Sequence, residues 1–208
     1  MSKSSGTIVM NVINLGYDSA NYYALATTHP VLLVDVGFPG TLGKLKHQCK
    51  RQGVELAHLH YLLATHYHPD HAGLASALQD EGITLIVLKN QIASVPVLQS
   101  YFKPPYQDNS IDLTRAILIT NEESRAFLAK VGIQGEILHT PGHSDDSNTL
   151  LLDDGAAFTG DLPLPMMAGE APFMQARASW QQLLARKASI IYPGHGPSWR
   201  VSERANML

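Results

Sequence analysis

Nine consecutive residues constrain this chain more than any other stretch: Thr65-His66-Tyr67-His68-Pro69-Asp70-His71-Ala72-Gly73. Three imidazoles and a carboxylate fall within residues 66–71, directly after the apolar run Leu59-His60-Tyr61-Leu62-Leu63-Ala64. That run reads as a buried strand, and Pro69 followed by Gly73-Leu74-Ala75-Ser76-Ala77-Leu78 reads as the start of a helix. The ligand-type side chains therefore sit on a strand-to-helix turn. Residues two apart on extended backbone point the same way, so His66 and His68 are predicted to grip one metal ion. The turn at Pro69 then re-aims Asp70 and His71 toward a second position nearby. Imidazole and carboxylate donors suit zinc, with iron or manganese as alternatives. The spacing differs from the helical zinc-protease pattern, in which two His lie four apart on one face. Ten His in 208 residues make a stray surface His unremarkable. Four ligand-type side chains around one turn are far harder to obtain by chance.

A chain of 208 residues suits one domain, residues 1–208, large enough to bury a core without staples. The net charge of −3 and pI near 6.3 offer no basic field for a nucleic-acid backbone, so no nucleic-acid partner is expected. Cys49 is the single cysteine and has no internal partner, which fits a reducing compartment. Its cationic surroundings, Lys44-Leu45-Lys46-His47-Gln48-Cys49-Lys50, suggest a helix and an ordinary thiol. The polar start Met1-Ser2-Lys3-Ser4-Ser5-Gly6 has no secretory apolar core, and no apolar run reaches membrane-spanning length. A cytoplasmic location without a membrane partner is the expectation.

Taken in order, strands are predicted over Thr7 to Leu15, Tyr22 to Thr27 and Val31 to Asp35, followed by a tight Gly37-Phe38-Pro39-Gly40 loop. Thr41 is expected to cap a helix running to about Gln52, with Gly53 as its stop. The helix behind the His cluster should end near Gly82, before a buried strand Thr84 to Leu88. Residues 90–115 are the least regular. Within them Ser100-Tyr101-Phe102-Lys103-Pro104-Pro105-Tyr106 puts three aromatic rings on a loop, either a lid over a substrate or surface packing. A strand Ala116 to Ile119 precedes the capping box Thr120-Asn121-Glu122-Glu123 and a helix to about Val131. Short strands are expected at Glu136 to His139, Thr149 to Leu152, Ala156 to Thr159 and Ser189 to Tyr192, with a helix from about Phe173 to Lys187. Strands and helices alternate, which argues for an α/β protein in layers.

Three further ligand-type residues share one context, the end of a strand beside a glycine: His143 in Thr140-Pro141-Gly142-His143-Ser144, Asp161 in Phe158-Thr159-Gly160-Asp161, and His195 in Tyr192-Pro193-Gly194-His195-Gly196. A glycine there lets the backbone approach closely or adopt a positive φ. With the first cluster they bring the candidate ligands to seven, enough for two metals with a shared carboxylate and an open water position.

With those residues in place, the sequence resembles the metallo-β-lactamase superfamily, in its dinuclear branch of glyoxalase II and lactonase type. The family's His-x-His-x-Asp-His motif matches residues 66–71, and its later His, Asp and His match His143, Asp161 and His195. The resemblance implies an αβ/βα four-layer sandwich with the site at one edge of two sheets. It implies two zinc ions, the first held by His66, His68 and His143, the second by Asp70, His71 and His195, with Asp161 bridging. Asp35 resembles the family's carboxylate that orients a ligand His, although an Asp at that point also suits a turn. Where many relatives carry a Gly, this chain has Ser144-Asp145-Asp146-Ser147-Asn148. Asp145 and Asp146 are free to stay in solvent, cap backbone or face the substrate.

The chemistry so implied is hydrolysis by a hydroxide bridging two metals, with Asp70 both binding and orienting the nucleophile. An ester, thioester or lactone of a small, partly hydrophobic substrate is expected. Leu162 to Met167, with Phe173 and Met174, either lines its pocket or belongs to the core. The commonest zinc β-lactamases carry a Cys where Asp161 stands, which argues against antibiotics as the main substrate. The glyoxalase II type adds a C-terminal extension for glutathione, which is not expected here with thirteen residues after His195, and several lactonases have a Tyr where Leu164 stands. A mono-iron persulfide dioxygenase and a phosphodiesterase of the same fold are the alternatives. His29, His47, His58, His60 and His139 are left as structural or surface groups.

Overall fold

The computed structural model describes residues 10–26, 30–167 and 170–207. His29 and the part of the first expected strand before Met10 lie outside them, as do the side chains of Met167 and Phe173. The first sheet comprises β1 (Asn11–Asn14), β2 (Tyr23–Ala26), β3 (Pro30–Val34), β4 (Tyr61–Leu63), β5 (Thr84–Leu88) and β6 (Ile117–Ile119), in that spatial order. Strands β1 to β3 form an antiparallel meander, and β3 to β6 run parallel. The parallel crossovers carry α1 (Leu42–Arg51), α2 (Pro69–Ala72), α3 (Ala75–Asp80) and α4 (Val95–Ser100). After α5 (Asn121–Lys130) the second sheet forms from β7 (Gly135–His139), β8 (Asn148–Leu152), β9 (Ala156–Gly160), β10 (Ile190–Pro193) and β11 (Trp199–Arg200), with α6 (Glu170–Ala185) between β9 and β10.

The layers follow from side-chain alternation. In β3, Leu32 and Val34 enter a core shared with Ile137, Leu150 and Phe158 of the second sheet, while Leu33 faces Leu45 and Cys49 of α1 and Leu78 of α3. In β8, Leu150 and Leu152 face inward and Leu151 packs on Trp180 and Leu183 of α6. The interior strands of both sheets are thus covered on both faces, and they read as unbroken apolar runs because neither face meets water there. The result is helix, sheet, sheet, helix, as the αβ/βα expectation requires. Truncating one of these buried leucines to alanine removes about 2–5 kcal/mol. Among the described residues, no helix is long and apolar enough to cross a membrane.

Several local readings change. Thr41 precedes α1, but its hydroxyl does not cap it. It donates to Phe38 O at 2.7 Å and pairs with the Tyr17 hydroxyl at 2.8 Å, so the loop rather than the helix claims it. Pro96 is the second residue of α4, inside the stretch expected to be irregular, because proline is tolerated in a first helical turn. Strand β11 is too short to leave an alternation pattern and was missed. The Thr120 capping box does form: Glu123 N donates to Thr120 Oγ1 at 3.2 Å, and Thr120 N to Glu123 Oε2 at 2.8 Å.

Topology decides where the site falls. Strand β7 is antiparallel to β8, β8 is antiparallel to β9, and β9 is parallel to β10, so β7, β9 and β10 all point one way. Their C-terminal ends release His143, Asp161 and His195 at one edge. Asp35 leaves the C-terminal end of β3 and the His66–His71 turn that of β4 in the parallel half of the other sheet. The two edges are stitched together by Asn148 N to Thr65 O at 2.8 Å and Asn21 N to Gly194 O at 2.7 Å. The Asn21 and Tyr23 side chains add bonds to Pro193 O at 3.0 and 2.8 Å.

Candidate metal centre

All seven candidate ligands meet at this edge. His66, His68 and His143 form one group of donors, and Asp70, His71 and His195 another. His66 and His71 with Asp161 form a third group that overlaps both. Within each group the ligand atoms lie within 4.8 Å of one another. His143 Nε2 is 3.0 Å from His68 Nδ1, and His195 Nε2 is 3.3 Å from Asp70 Oδ2. Asp161 reaches both sides: Oδ1 is 3.3 Å from His71 Nε2, while Oδ2 is 3.7 Å from His143 Nε2 and 3.5 Å from His195 Nε2. Two ligands about 2.1 Å from one tetrahedral ion lie about 3.4 Å apart, so these separations suit shared metal ions.

Helix α2 explains the turn. Pro69 occupies its first position, and His71 N and Ala72 N both bond back to His68 O, at 3.0 and 2.9 Å. The chain reverses within one turn and carries Asp70 and His71 round to the second group. A Cβ on Gly194 would run into Asp161 Oδ1 and the His71 ring, so only glycine lets that loop close on the cluster. Gly160 has a φ of +52°, which a residue with a Cβ rarely adopts, and a Cβ there would strike Thr65.

Asp35 organises the buried side. It is 2% exposed and sits at a φ of +61°, in the left-handed region that Asp tolerates better than most residues. Its Oδ1 accepts from Thr65 N at 2.6 Å, and its Oδ2 accepts from Thr65 Oγ1 and from His71 Nδ1, each at 2.9 Å. Thr65 Oγ1, having given its hydrogen to Asp35, is left to accept from His66 Nδ1 at 3.1 Å. Both imidazoles then carry their proton on Nδ1 and turn Nε2 inward. His66 Nε2, His71 Nε2 and Asp161 Oδ1 are all buried without a hydrogen-bond partner. Orphaned buried polar atoms are costly, and a cation between them would satisfy all three. The donor set therefore fits a metal. Thr65 has a part in this that sequence reasoning missed; its signal was its position between a strand and the first ligand His.

Electrostatics give these atoms unequal protonation. Burial, reinforced by His71 and His143, drives the His66 pKa well below its ordinary value. Burial also opposes a charge on His71, but Asp35 and Asp161 outweigh it and raise its pKa from 6.5 to about 10. Burial lowers the His143 pKa against the pull of Asp161. For Asp161 burial works toward the neutral form, yet His71 beside it keeps the pKa below the carboxylate norm.

The residues around the ligands sort clearly. Asp145 is exposed, whereas Asp146 is 5% exposed and its Oδ2 accepts from Tyr67 N at 2.8 Å, between His66 and His68. Gln91 Nε2 completes the clamp by donating to the backbone oxygens of Ala64, Thr65 and Asp146. Of the three loop rings, Phe102 packs into the core, while Tyr101 is 53% exposed with its ring centroid 6.4 Å from that of His68. Leu162 and Leu164 are buried and help line a cavity of about 450 Å³ that Asp161, His143 and His195 border, whereas Met166 and Met174 are exposed. His47, His60 and His139 lie on the surface, and His58 is half-buried near Glu55.

Comparison with known proteins agrees with this geometry. Residues 15–195 match the family model described as the metallo-beta-lactamase superfamily. The chain is 28% identical over 181 residues to the Beta-lactamase-like protein 2 homolog of Caenorhabditis elegans, covering 85% of this chain and 56% of that protein. It is 26% identical over 193 residues to Metallo-beta-lactamase domain-containing protein 1 of Xenopus laevis, covering 85% and 70%. The chain spans about half the length of several curated relatives it matches. Among solved structures it superposes on the BLEG-1 B3 metallo-beta-lactamase with a TM-score of 0.71 at 22% identity, covering 95% of this chain and 97% of that one. A metallo-beta-lactamase family protein of Thermus thermophilus gives a TM-score of 0.70 at 20% identity, covering 95% and 77%. With the family model running from just after β1 through the last ligand-type His, the chain belongs to the metallo-beta-lactamase superfamily.

Proposed function

We propose that this protein is a hydrolase in which two zinc ions are held by His66, His68 and His143 on one side and by Asp70, His71 and His195 on the other, with Asp161 bridging. The observation that carries this reading is that three side chains, His66, His71 and Asp161, offer ligand atoms within 4.8 Å of one another while the buried His66 Nε2, His71 Nε2 and Asp161 Oδ1 have no hydrogen-bond partner. Bound there, the ions supply an activated water and polarise the substrate oxygen. The chain's own groups do the rest. Asp35 and Thr65 hold the His66 and His71 tautomers, and Ser19 O does the same for His195 by accepting from its Nδ1 at 2.8 Å. The Asp70 side chain is about one-quarter exposed, so its carboxylate reaches both ligands and incoming water, where it orients the nucleophile and accepts its proton. Water then adds across an acyl–oxygen or acyl–sulfur bond, leaving a carboxylic acid and an alcohol or thiol. The apolar cavity beside Asp161 favours a small substrate with a hydrophobic portion.

Metal content by mass spectrometry tests the reading, alongside hydrolysis of esters, thioesters, lactones and β-lactams. About two zinc per chain, falling in Asp161→Ala with at least about a hundredfold loss of turnover, is the expected result. About one iron per chain, unchanged in Asp161→Ala and coupled to oxygen uptake on persulfides, overturns it in favour of an oxygenase.

A further inference from the structure

The cavity that borders Asp161 has a second feature that metal chemistry does not use. Its walls are largely apolar, from Leu162, Leu164, Ile191, Trp180 and Trp199, and Arg204 belongs to the same lining. Apart from the three ligand-type residues His143, Asp161 and His195, Arg204 is the ionisable group in that lining. Its guanidinium lies 4.8 Å from the centroid of the Trp199 ring, and Trp199 is itself buried and packed 5.7 Å from Trp180. Stacking occupies the face of a guanidinium and leaves the N–H donors along its edge available. No carboxylate among the described residues pairs with it. A fixed cation with free, planar donors on the wall of an apolar cavity is a receptor for an anion, and a carboxylate matches that fork in two parallel bonds.

We propose that this cavity selects substrates carrying a carboxylate on an apolar body, with Arg204 as the residue that pairs the charge. The proposal rests on the hydrolase reading above and deepens it by naming the substrate class. The cavity orients as well as selects. Arg204 pairs the carboxylate in its planar fork, so the charged end settles there and the uncharged acyl group is left for the ligand cluster. A volume of about 450 Å³ accommodates one aromatic ring or a medium-length chain together with the acid.

The chain's two Trp, Trp180 and Trp199, both line the cavity, so intrinsic fluorescence reports its occupation without a label. The zinc-loaded full chain is titrated with 4-phenylbutyrate and with the neutral 4-phenylbutyramide, then assayed on the monophenyl ester of glutaric acid and on phenyl butyrate. The acid is expected to bind at least about tenfold more tightly than the amide, and the anionic ester to have a KM lower by a similar factor. Arg204→Met keeps the hydrocarbon over Trp199 and removes the charge. It should weaken the acid and raise the anionic KM at least about tenfold, moving kcat and amide affinity by less than about twofold, with partial recovery in Arg204→Lys. Equal affinity for acid and amide, or an acid affinity indifferent to Arg204→Met, overturns the proposal. Failure of every ester to turn over while the acid still follows Arg204 refutes the hydrolase reading and spares the anion site. Turnover blind to substrate charge does the reverse.

Discussion

The turn after β4 and the loops after β7, β9 and β10 deliver ligand-type residues to the same point, yet they hold them differently. His66 and His71 are 1% and 0% exposed and locked through Thr65 and Asp35. The side chains of His143 and His195 are 31% and 43% exposed and border the cavity. One half of the site is continuous with the core, so its geometry is inherited from packing. The other half hangs on loops tied down by a few backbone bonds, where substrate must arrive. Stability and access are thereby divided between the two sheets, and a change on one side should register differently from a change on the other.

The largest expected contrast is between Asp35→Ala and His195→Ala. Removing Asp35 strands a buried imidazole and the Thr65 donors, which should cost about 3–5 kcal/mol in chelator-treated protein. His195→Ala should cost no more than about 1 kcal/mol under the same urea titration, although both variants should lose bound metal. Similar unfolding midpoints for the two would erase the distinction.

Next in size is a pH effect of two opposite signs. The His71 pKa is raised from 6.5 to about 10, so its proton stabilises the chelator-treated fold. That contribution is complete below about 6.5 and is lost as pH rises through about 10. A metal ion must displace the same proton, so zinc affinity should increase by up to about tenfold per pH unit across this window, with proton release on binding. Competitive chelator titrations at several pH values measure the second trend and urea melts the first; parallel trends would contradict the assignment.

Thr65→Val should be smaller, about 1–2 kcal/mol, since it removes the hydroxyl link between Asp35 and His66 while keeping the shape. A metal affinity unchanged in this variant would show that Asp35 acts through His71 alone. The smallest effect concerns the core behind the buried half. Burial pushes the Cys49 thiol up to about 11, so a disulfide reagent at pH 8 should modify folded protein at least about a hundredfold more slowly than urea-unfolded chain.

Much of this was legible in one dimension. The parallel strands announced themselves as apolar runs because both faces of each sheet are covered, and α5 because its capping box is local. The cluster of ligand-type residues was readable because the turn at Pro69 needs residues close in sequence, and because His143, Asp161 and His195 each stand at a strand end beside glycine. Helix α4 was hidden, since Pro96 reads as a breaker until its place in the first turn is known. The partners of Thr41 and Asp146 were hidden as well. A hydroxyl or carboxylate can satisfy several partners, and nothing in the neighbouring residues says which one lies within 3 Å.

The sequence by itself determined the layered α/β architecture, the seven ligand-type side chains and Asp35, because periodicity, turn chemistry and donor type are properties of short segments. Tertiary structure alone decided that Asp161 lies between the two ligand groups, that Thr65 relays Asp35 to His66, and that Arg204 shares a cavity with Asp161. Those relations join residues as far apart as His66 and Asp161. They exist only because three strands of one sheet point the same way and set their ends against the edge of the other.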